Sequence, residues 1–185
     1  AYSSIGEYNE EVLAYNAKFE EIHKNADEAT LKEMGESIYL VQCAQCHGTT
    51  GDGLSGKAQD FSSRMTKEQV LDAINNGSNQ LGYPMGAMPA GMAQGEQAEE
   101  IAEYVASGMR GPQPASFAAC SSCHGMDGQG NNGMSPNLVS YDAALMSNTL
   151  QHGKKGVIGK MPSFKTLITP VQEKALTVYV QSLSN

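Results

Sequence analysis

Apolar residues recur along this chain at helical spacing, in short runs separated by glycine-rich stretches. Ile5, Tyr8, Val12, Tyr15, Phe19 and Ile22 step 3-4-3-4-3, which predicts one helix with a heptad-like stripe; Ser4 and Glu7 suit a capping box at its start. The bland expectation is that this stripe packs on the domain that follows; a docking face for a partner subunit, or a stem below an anchor, is the other. Further helices are predicted at Leu31 to Val41, around Ser116 to Cys120, near Thr66–Asn75 and Tyr141–Gln151, and near Gly95–Ser107 and Pro170–Leu183. Pro170 fits a first helical turn, and Gly77 and Gly153 follow predicted helix ends. No strand pattern competes, so the expected class is all-α.

The elements after residue 30 form one unit written twice. Cys43-Ala44-Gln45-Cys46-His47-Gly48 recurs as Cys120-Ser121-Ser122-Cys123-His124-Gly125, at an offset of 77. Gly51, Gly53 and Gly56 map onto Gly128, Gly130 and Gly133 at the same offset, and Phe61 onto Leu138. With small gaps, Gly77 matches Gly153, Met88-Pro89 matches Met161-Pro162, and Tyr104-Val105 matches Tyr179-Val180. Matches in one order over so long a stretch indicate a tandem duplication. Gly111-Pro112-Gln113-Pro114 reads as the linker. The organisation is therefore an N-terminal helical segment at 1–30, a first domain at 31–110 and a second at 111–185. Units this small are marginal on side-chain burial alone, so something else is expected to fill their cores.

The four cysteines supply the candidate. They fall into two pairs, Cys43/Cys46 and Cys120/Cys123, each followed at once by a histidine. An even count invites disulfides, paired C-x-x-C motifs can hold zinc, and a lone C-x-x-C can be a redox dithiol. None of these uses both histidines. Two thiols at this spacing can each form a thioether to one vinyl group of a single porphyrin, with His47 or His124 under the iron as proximal ligand. Two covalently bound haem c groups are thus expected.

The sixth iron ligand is read from Met88 and Met161, each held before a proline that keeps the preceding backbone extended. Met85 and Met92 share a loop with Met88 and compete for its role; His23 and His152 are the histidine alternatives. With both axial positions filled there is no place for a substrate. No paired carboxylates, Ser-His-Asp order or phosphate loop accompanies the motifs, so the chain reads as an electron carrier, not an enzyme.

Charge sharpens this picture. The net charge of −8 divides as −6 over residues 1–38, −4 over 39–110 and +2 over 111–185. An acidic chain repels phosphates, which excludes nucleic acid as a partner. Lys154, Lys155, Lys160 and Lys165 flank Met161 and are expected to surround an exposed haem edge, steering an acidic partner. The matching stretch 77–92 holds no charged residue, so the two edges are expected to face different neighbours. No apolar run of 18 residues is present, and Ala1 opens on no signal peptide, so the start is expected to be a mature or truncated end.

Both repeats resemble class I cytochrome c domains. The whole order is similar to the periplasmic part of the dihaem subunit (CcoP, also FixP) of cbb3-type cytochrome c oxidases. The residues that carry this are Ile5-Gly6-Glu7-Tyr8-Asn9-Glu10-Glu11-Val12, Ala87-Met88-Pro89-Ala90, and Gly159-Lys160-Met161-Pro162-Ser163-Phe164 leading into Leu176–Leu183. The resemblance implies electron entry from a donor cytochrome or a quinol-oxidising complex, onward transfer to the oxidase catalytic subunit, and a place on the periplasmic side of the bacterial inner membrane. That family carries a membrane anchor, which residues 1–185 do not include. A soluble dihaem shuttle of cytochrome c4 type, the cytochrome subunit of a periplasmic dehydrogenase, and a dihaem peroxidase-like enzyme are the other readings.

Overall fold

The computed structural model describes residues 2–79 and 81–184, with side chains from Glu10 onward. Eight helices appear in it: α1 Tyr2–His23, α2 Glu28–Gln42, α3 Ala44–His47, α4 Lys67–Asn76, α5 Gly95–Ala106, α6 Ala118–His124, α7 Ala143–His152 and α8 Pro170–Leu183. A 3-10 turn at Ala115–Phe117 leads into α6. Local chemistry explains the starts. Asp27 and Asp142 cap α2 and α7 by accepting the amides of Thr30 and Leu145, both at 2.8 Å. Thr66 with Gln69 and Thr169 with Gln172 form full capping boxes on α4 and α8, the latter with Pro170 in the first turn.

The all-α expectation needs one correction. A two-stranded antiparallel hairpin, β1 Lys154–Gly156 and β2 Gly159–Met161, lies between α7 and α8. Gly156 pairs with Gly159 across a two-residue turn, and Gly159 takes φ 145°, a conformation only glycine adopts freely. The first repeat has only an isolated bridge at the matching place, Ser78 with Met88.

The N-terminal stripe does not behave as its spacing suggests. Val12, Tyr15 and Ile22 are exposed and Phe19 is half-buried, while Ile5, Tyr8 and the Ser4–Glu7 box lie outside the residues whose side chains are described. Polar groups on the opposite side make the attachment: the Glu20 carboxylate accepts the Val171 amide at 2.9 Å and bonds the Thr169 hydroxyl, at the start of α8. The helix is therefore tied to the second repeat's closing helix, not buried by its apolar face on the first repeat.

The largest departure from the linear reading is in the cores. One core joins Tyr39 of α2 to Leu145, Met146 and Leu150 of α7 and to Leu176, Tyr179 and Val180 of α8. The other joins Val70 and Ile74 of α4 and Ile101, Ala102 and Val105 of α5 to Phe117 beside α6. The thiol-bearing element of each repeat thus packs on the later helices of the other repeat. Gly35 makes the first crossing possible: a Cβ there would lie 2.7 Å from the Ala175 carbonyl carbon and 2.8 Å from the Tyr179 Cβ. Tyr39, one turn on, meets Tyr179 with ring centroids 5.1 Å apart. Hydrogen bonds stitch the repeats elsewhere, from Ser184 Oγ to Phe61 O at 2.7 Å, Arg64 Nε to Asn137 O at 3.0 Å, and Met85 N to Met134 O at 2.9 Å.

Candidate functional site

Cys120, Cys123 and His124 lie on α6, while Cys46 and His47 lie on α3 with Cys43 at its N-cap; the i, i+3, i+4 spacing brings both thiols and the histidine to one side of a helical turn. No disulfide joins any of the four cysteines. Burial, then the charge of Cys46, pushes the Cys43 thiol up to about 11; burial and Cys123 raise Cys120 likewise. Burial thus favours the S–H form of Cys43 and Cys120. An S–H group can add across a vinyl double bond, giving one S–C and one C–H bond with no oxidant consumed.

The histidines show whether the residues suit a haem. His47 and His124 are both buried. His47 Nδ1 lies 3.0 Å from the Gln59 carbonyl oxygen, and His124 Nδ1 lies 2.8 Å from that of Pro136. A carbonyl only accepts, so Nδ1 carries the proton in both rings and Nε2 keeps its lone pair for a metal. Burial holds the His124 pKa below the ordinary histidine value, which the charge of Arg64 reinforces and the Pro136 bond opposes; the ring is in its ligating, neutral form. Phe61 stacks on His47 with centroids 4.6 Å apart, and its repeat partner Leu138 packs in the other core. Geometry, tautomer and thiol chemistry all fit haem c.

The methionines follow the exchanged packing. Met161 packs against the core that includes Cys43, whereas Met88 packs against the one that includes Cys120. Each sits on a glycine held at φ +68°: a Cβ on Gly77 would lie 2.9 Å from Ala90 N, and one on Gly153 would lie 2.9 Å from Pro162 C, closer still to the carbonyl oxygens of Met88 and Met161. Met88 is half-buried, while Met85 and Met92 are exposed. Of the alternative histidines, His23 bonds the Phe19 carbonyl in its own helix at 2.9 Å and His152 is exposed at the end of α7.

The structure gathers three of the four lysines onto the hairpin, with Lys154 opposite Met161 and Lys155 opposite Lys160; Lys165 follows in the next turn, and all four are exposed. Sequence reasoning missed a polar cluster between the two histidines. Gln59, whose carbonyl fixes His47, donates Nε2 to the Tyr141 hydroxyl at 3.0 Å; that hydroxyl donates to Ser63 O at 2.5 Å, and Arg64 lies over the Tyr141 ring at 5.3 Å. None of these residues repeats or follows a period, so no pattern singled them out.

Two thiol-plus-imidazole sites on small helical cores define a c-type cytochrome with two haem groups. The family model described as "Cytochrome C oxidase, cbb3-type, subunit III" matches residues 30–105 and again 112–180, and the chain belongs to that family. It is 39% identical over 201 residues to the cbb3-type cytochrome c oxidase subunit CcoP of Helicobacter pylori, covering 99% of this chain and 69% of that one. It is 30% identical to the subunit FixP of Bradyrhizobium diazoefficiens, covering 84% and 62%. It is 31% identical to CcoP of Rubrivivax gelatinosus, covering 82% and 54%. Among the described residues no helix is long and apolar enough to cross a membrane.

Proposed function

We propose that the chain carries single electrons within a cbb3-type oxidase. It takes them from a donor cytochrome or quinol-oxidising complex and passes them toward the catalytic subunit, on the periplasmic side of the bacterial inner membrane. One haem c is held by Cys43, Cys46 and His47, the other by Cys120, Cys123 and His124. The sixth ligands come from the opposite repeat: Met161 for the first haem and Met88 for the second. Domains 31–110 and 111–185 are then the sequence units, and each functional unit borrows its later half from its neighbour. The observation that carries the reading is the pair of buried imidazoles with Nδ1 spent on a carbonyl, each beside a core that holds a methionine of the other repeat.

Methionine sulfur raises a haem potential, and two filled axial positions leave no substrate site, which suits a carrier and not an oxidant-activating centre. The lysines at 154, 155, 160 and 165 form the docking face for an acidic partner. Pairing Lys155 with Lys160 across the hairpin concentrates positive charge on one small surface, which an oppositely charged partner complements.

The test is spectroscopic. The parent protein should carry the mass of two added macrocycles, show two low-spin haems when reduced, and ignore carbon monoxide. Met161→Ala should open the haem on Cys43 and Cys46 to carbon monoxide, and Met88→Ala the haem on Cys120 and Cys123, as read after proteolysis into the two haem peptides. A parent that binds carbon monoxide rapidly at one haem would favour an enzyme or sensor. Opening of the haem within the same repeat would overturn the exchanged pairing.

A further inference from the structure

The tripeptide Asn-Asn-Gly occurs twice in the chain, at Asn75–Gly77 and at Asn131–Gly133. Asparagine is a thermolabile residue, most of all before glycine. The glycine amide nitrogen can attack the asparagine side-chain carbonyl carbon, and glycine, with no Cβ, puts nothing in the way. The rate depends on whether the two reacting groups are already engaged. The fold treats the two copies differently.

At the end of α4 both groups are held. Asn76 Nδ2 donates to Asp72 Oδ1 at 2.8 Å, and the Gly77 amide donates to the Ala73 carbonyl at 2.9 Å, closing the last helical turn. In the loop after α6 neither group is held. Asn132 is exposed, and its carboxamide has no hydrogen-bond partner among the described residues. The backbone bonds of this loop run from Met134 N to Asn131 O at 3.3 Å and from Ser135 N to Gly130 O at 3.1 Å, and neither uses the Gly133 amide. Asn131 and Asn132 both hold positive φ, 48° and 56°. Residues with a side chain enter that region at a cost, so a turn built on two of them opens more readily than a hydrogen-bonded helix end.

We propose that Asn132 is a site of spontaneous covalent modification, with water as its only co-reactant. The Gly133 nitrogen bonds to Asn132 Cγ, the Cγ–Nδ2 bond breaks, and ammonia leaves with the proton that the Gly133 amide gives up. Water then opens the resulting cyclic imide at either carbonyl, leaving aspartate or isoaspartate. A carboxamide and a water thus become a carboxylate and an ammonium ion, with no change of oxidation state. The product falls on a clamp. Asn131 Nδ2 and Ser135 Oγ, on either side, both donate to the Cys123 carbonyl at 2.7 Å, at the end of the helix that carries Cys120, Cys123 and His124. A new negative charge enters between those two anchors and, in isoaspartate, an added main-chain carbon as well.

The experiment stores the full folded chain at mildly alkaline pH and body temperature, beside a urea-unfolded sample. The two Asn-Asn-Gly peptides are followed by mass and by isoaspartyl methyltransferase labelling. In the folded chain the 131–133 peptide should exchange NH for O, with the 75–77 peptide slower by about tenfold or more, since two hydrogen bonds must first break there. Unfolding should bring the two rates together. Asn132→Gln, whose longer side chain closes the ring slowly, should lose the acidic species that the parent gains on isoelectric focusing. Equal rates at the two peptides in the folded chain, or reaction confined to 75–77, would overturn the proposal. So would rates that stay apart in urea, which would place the cause in the sequence and not the fold. An undiminished acidic species in Asn132→Gln would do the same, and where that variant does not fold the comparison within the parent decides.

Discussion

Replacing Gly35 with alanine sets two effects of opposite sign against each other. Alanine is the better helix former by about 1 kcal/mol, and Gly35 has an ordinary helical backbone with no positive φ to lose. Against that, the new methyl carbon would sit 2.7 Å from the carbonyl carbon of Ala175 and 2.8 Å from the Cβ of Tyr179, with the Ala175 oxygen nearer still. These are backbone and Cβ atoms that cannot swing aside, so α2 and α8 must part. Parting them loosens Tyr39, Leu176 and Val180, all nearly fully buried at this crossing. A clash against backbone belongs at the top of the overpacking range, about 3 kcal/mol. The net is a loss of about 2 kcal/mol, which for a chain of 185 residues lowers Tm by about 4–8 °C. The assay is thermal melting of the haem-loaded protein, followed by far-ultraviolet circular dichroism and by the Soret band. Gly156→Ala, where nothing lies within 4 Å of the added carbon, is the control and should move Tm little. If Gly35→Ala melted at or above the parent, helix propensity would have won, and the crossing of α2 on α8 would be refuted.

Other perturbations test separate parts of the account. Gly77→Ala and Gly153→Ala each place a side chain on a positive-φ, extended-ψ backbone that is essentially glycine's alone, about 1–3 kcal/mol, and press on the carbonyl of the neighbouring methionine; weakening of the sulfur-to-iron charge-transfer band of the haem across the repeat boundary is expected. The Asp27 carboxylate is held below its ordinary value by the Thr30 amide, so it stabilises the fold above about pH 3.9 and that contribution fades as pH falls through its lowered folded value; Asp27→Asn should flatten this acid limb of a Tm–pH series. Reversing Lys154, Lys155, Lys160 and Lys165 to glutamate should slow electron uptake from an acidic donor and invert its salt dependence in stopped-flow mixing. Unchanged salt dependence would count the lysines as ordinary solubilising residues.

Much of this molecule is legible in the order of its residues. The duplication, the thiol pairs with their histidines, and helices such as Pro170–Leu183 follow from spacing and capping residues alone. The pairing of helices does not, for a physical reason. Periodicity shows that a face must be covered but not by what, and duplication gives α5 and α8 nearly the same face, Tyr104-Val105 in one and Tyr179-Val180 in the other. Either could cover α2 with the pattern satisfied. What separates them is detail at the crossing, such as the fit of Gly35 to Ala175. The hairpin escaped because Lys-Lys-Gly and Gly-Lys-Met lack strand-forming residues and are held by a glycine turn. The stripe on α1 shows the reverse: among the described residues Val12, Tyr15 and Ile22 of a clean apolar spacing are exposed, while the polar Glu20 makes the join.

The crossed arrangement of the two halves bears on how such a protein is made. The helix that completes the N-terminal centre lies far downstream of its cysteines, Pro170–Leu183 against Cys43 and Cys46, so it emerges long after them during synthesis and export. Until then the earlier centre has a porphyrin site without its finishing wall, and cutting the chain at the Gly111–Pro114 stretch would free neither half as a working cytochrome. Assembly is in this sense staggered: the core beside α6 can form once that helix meets α4 and α5, whereas the core on α2 must wait for α8.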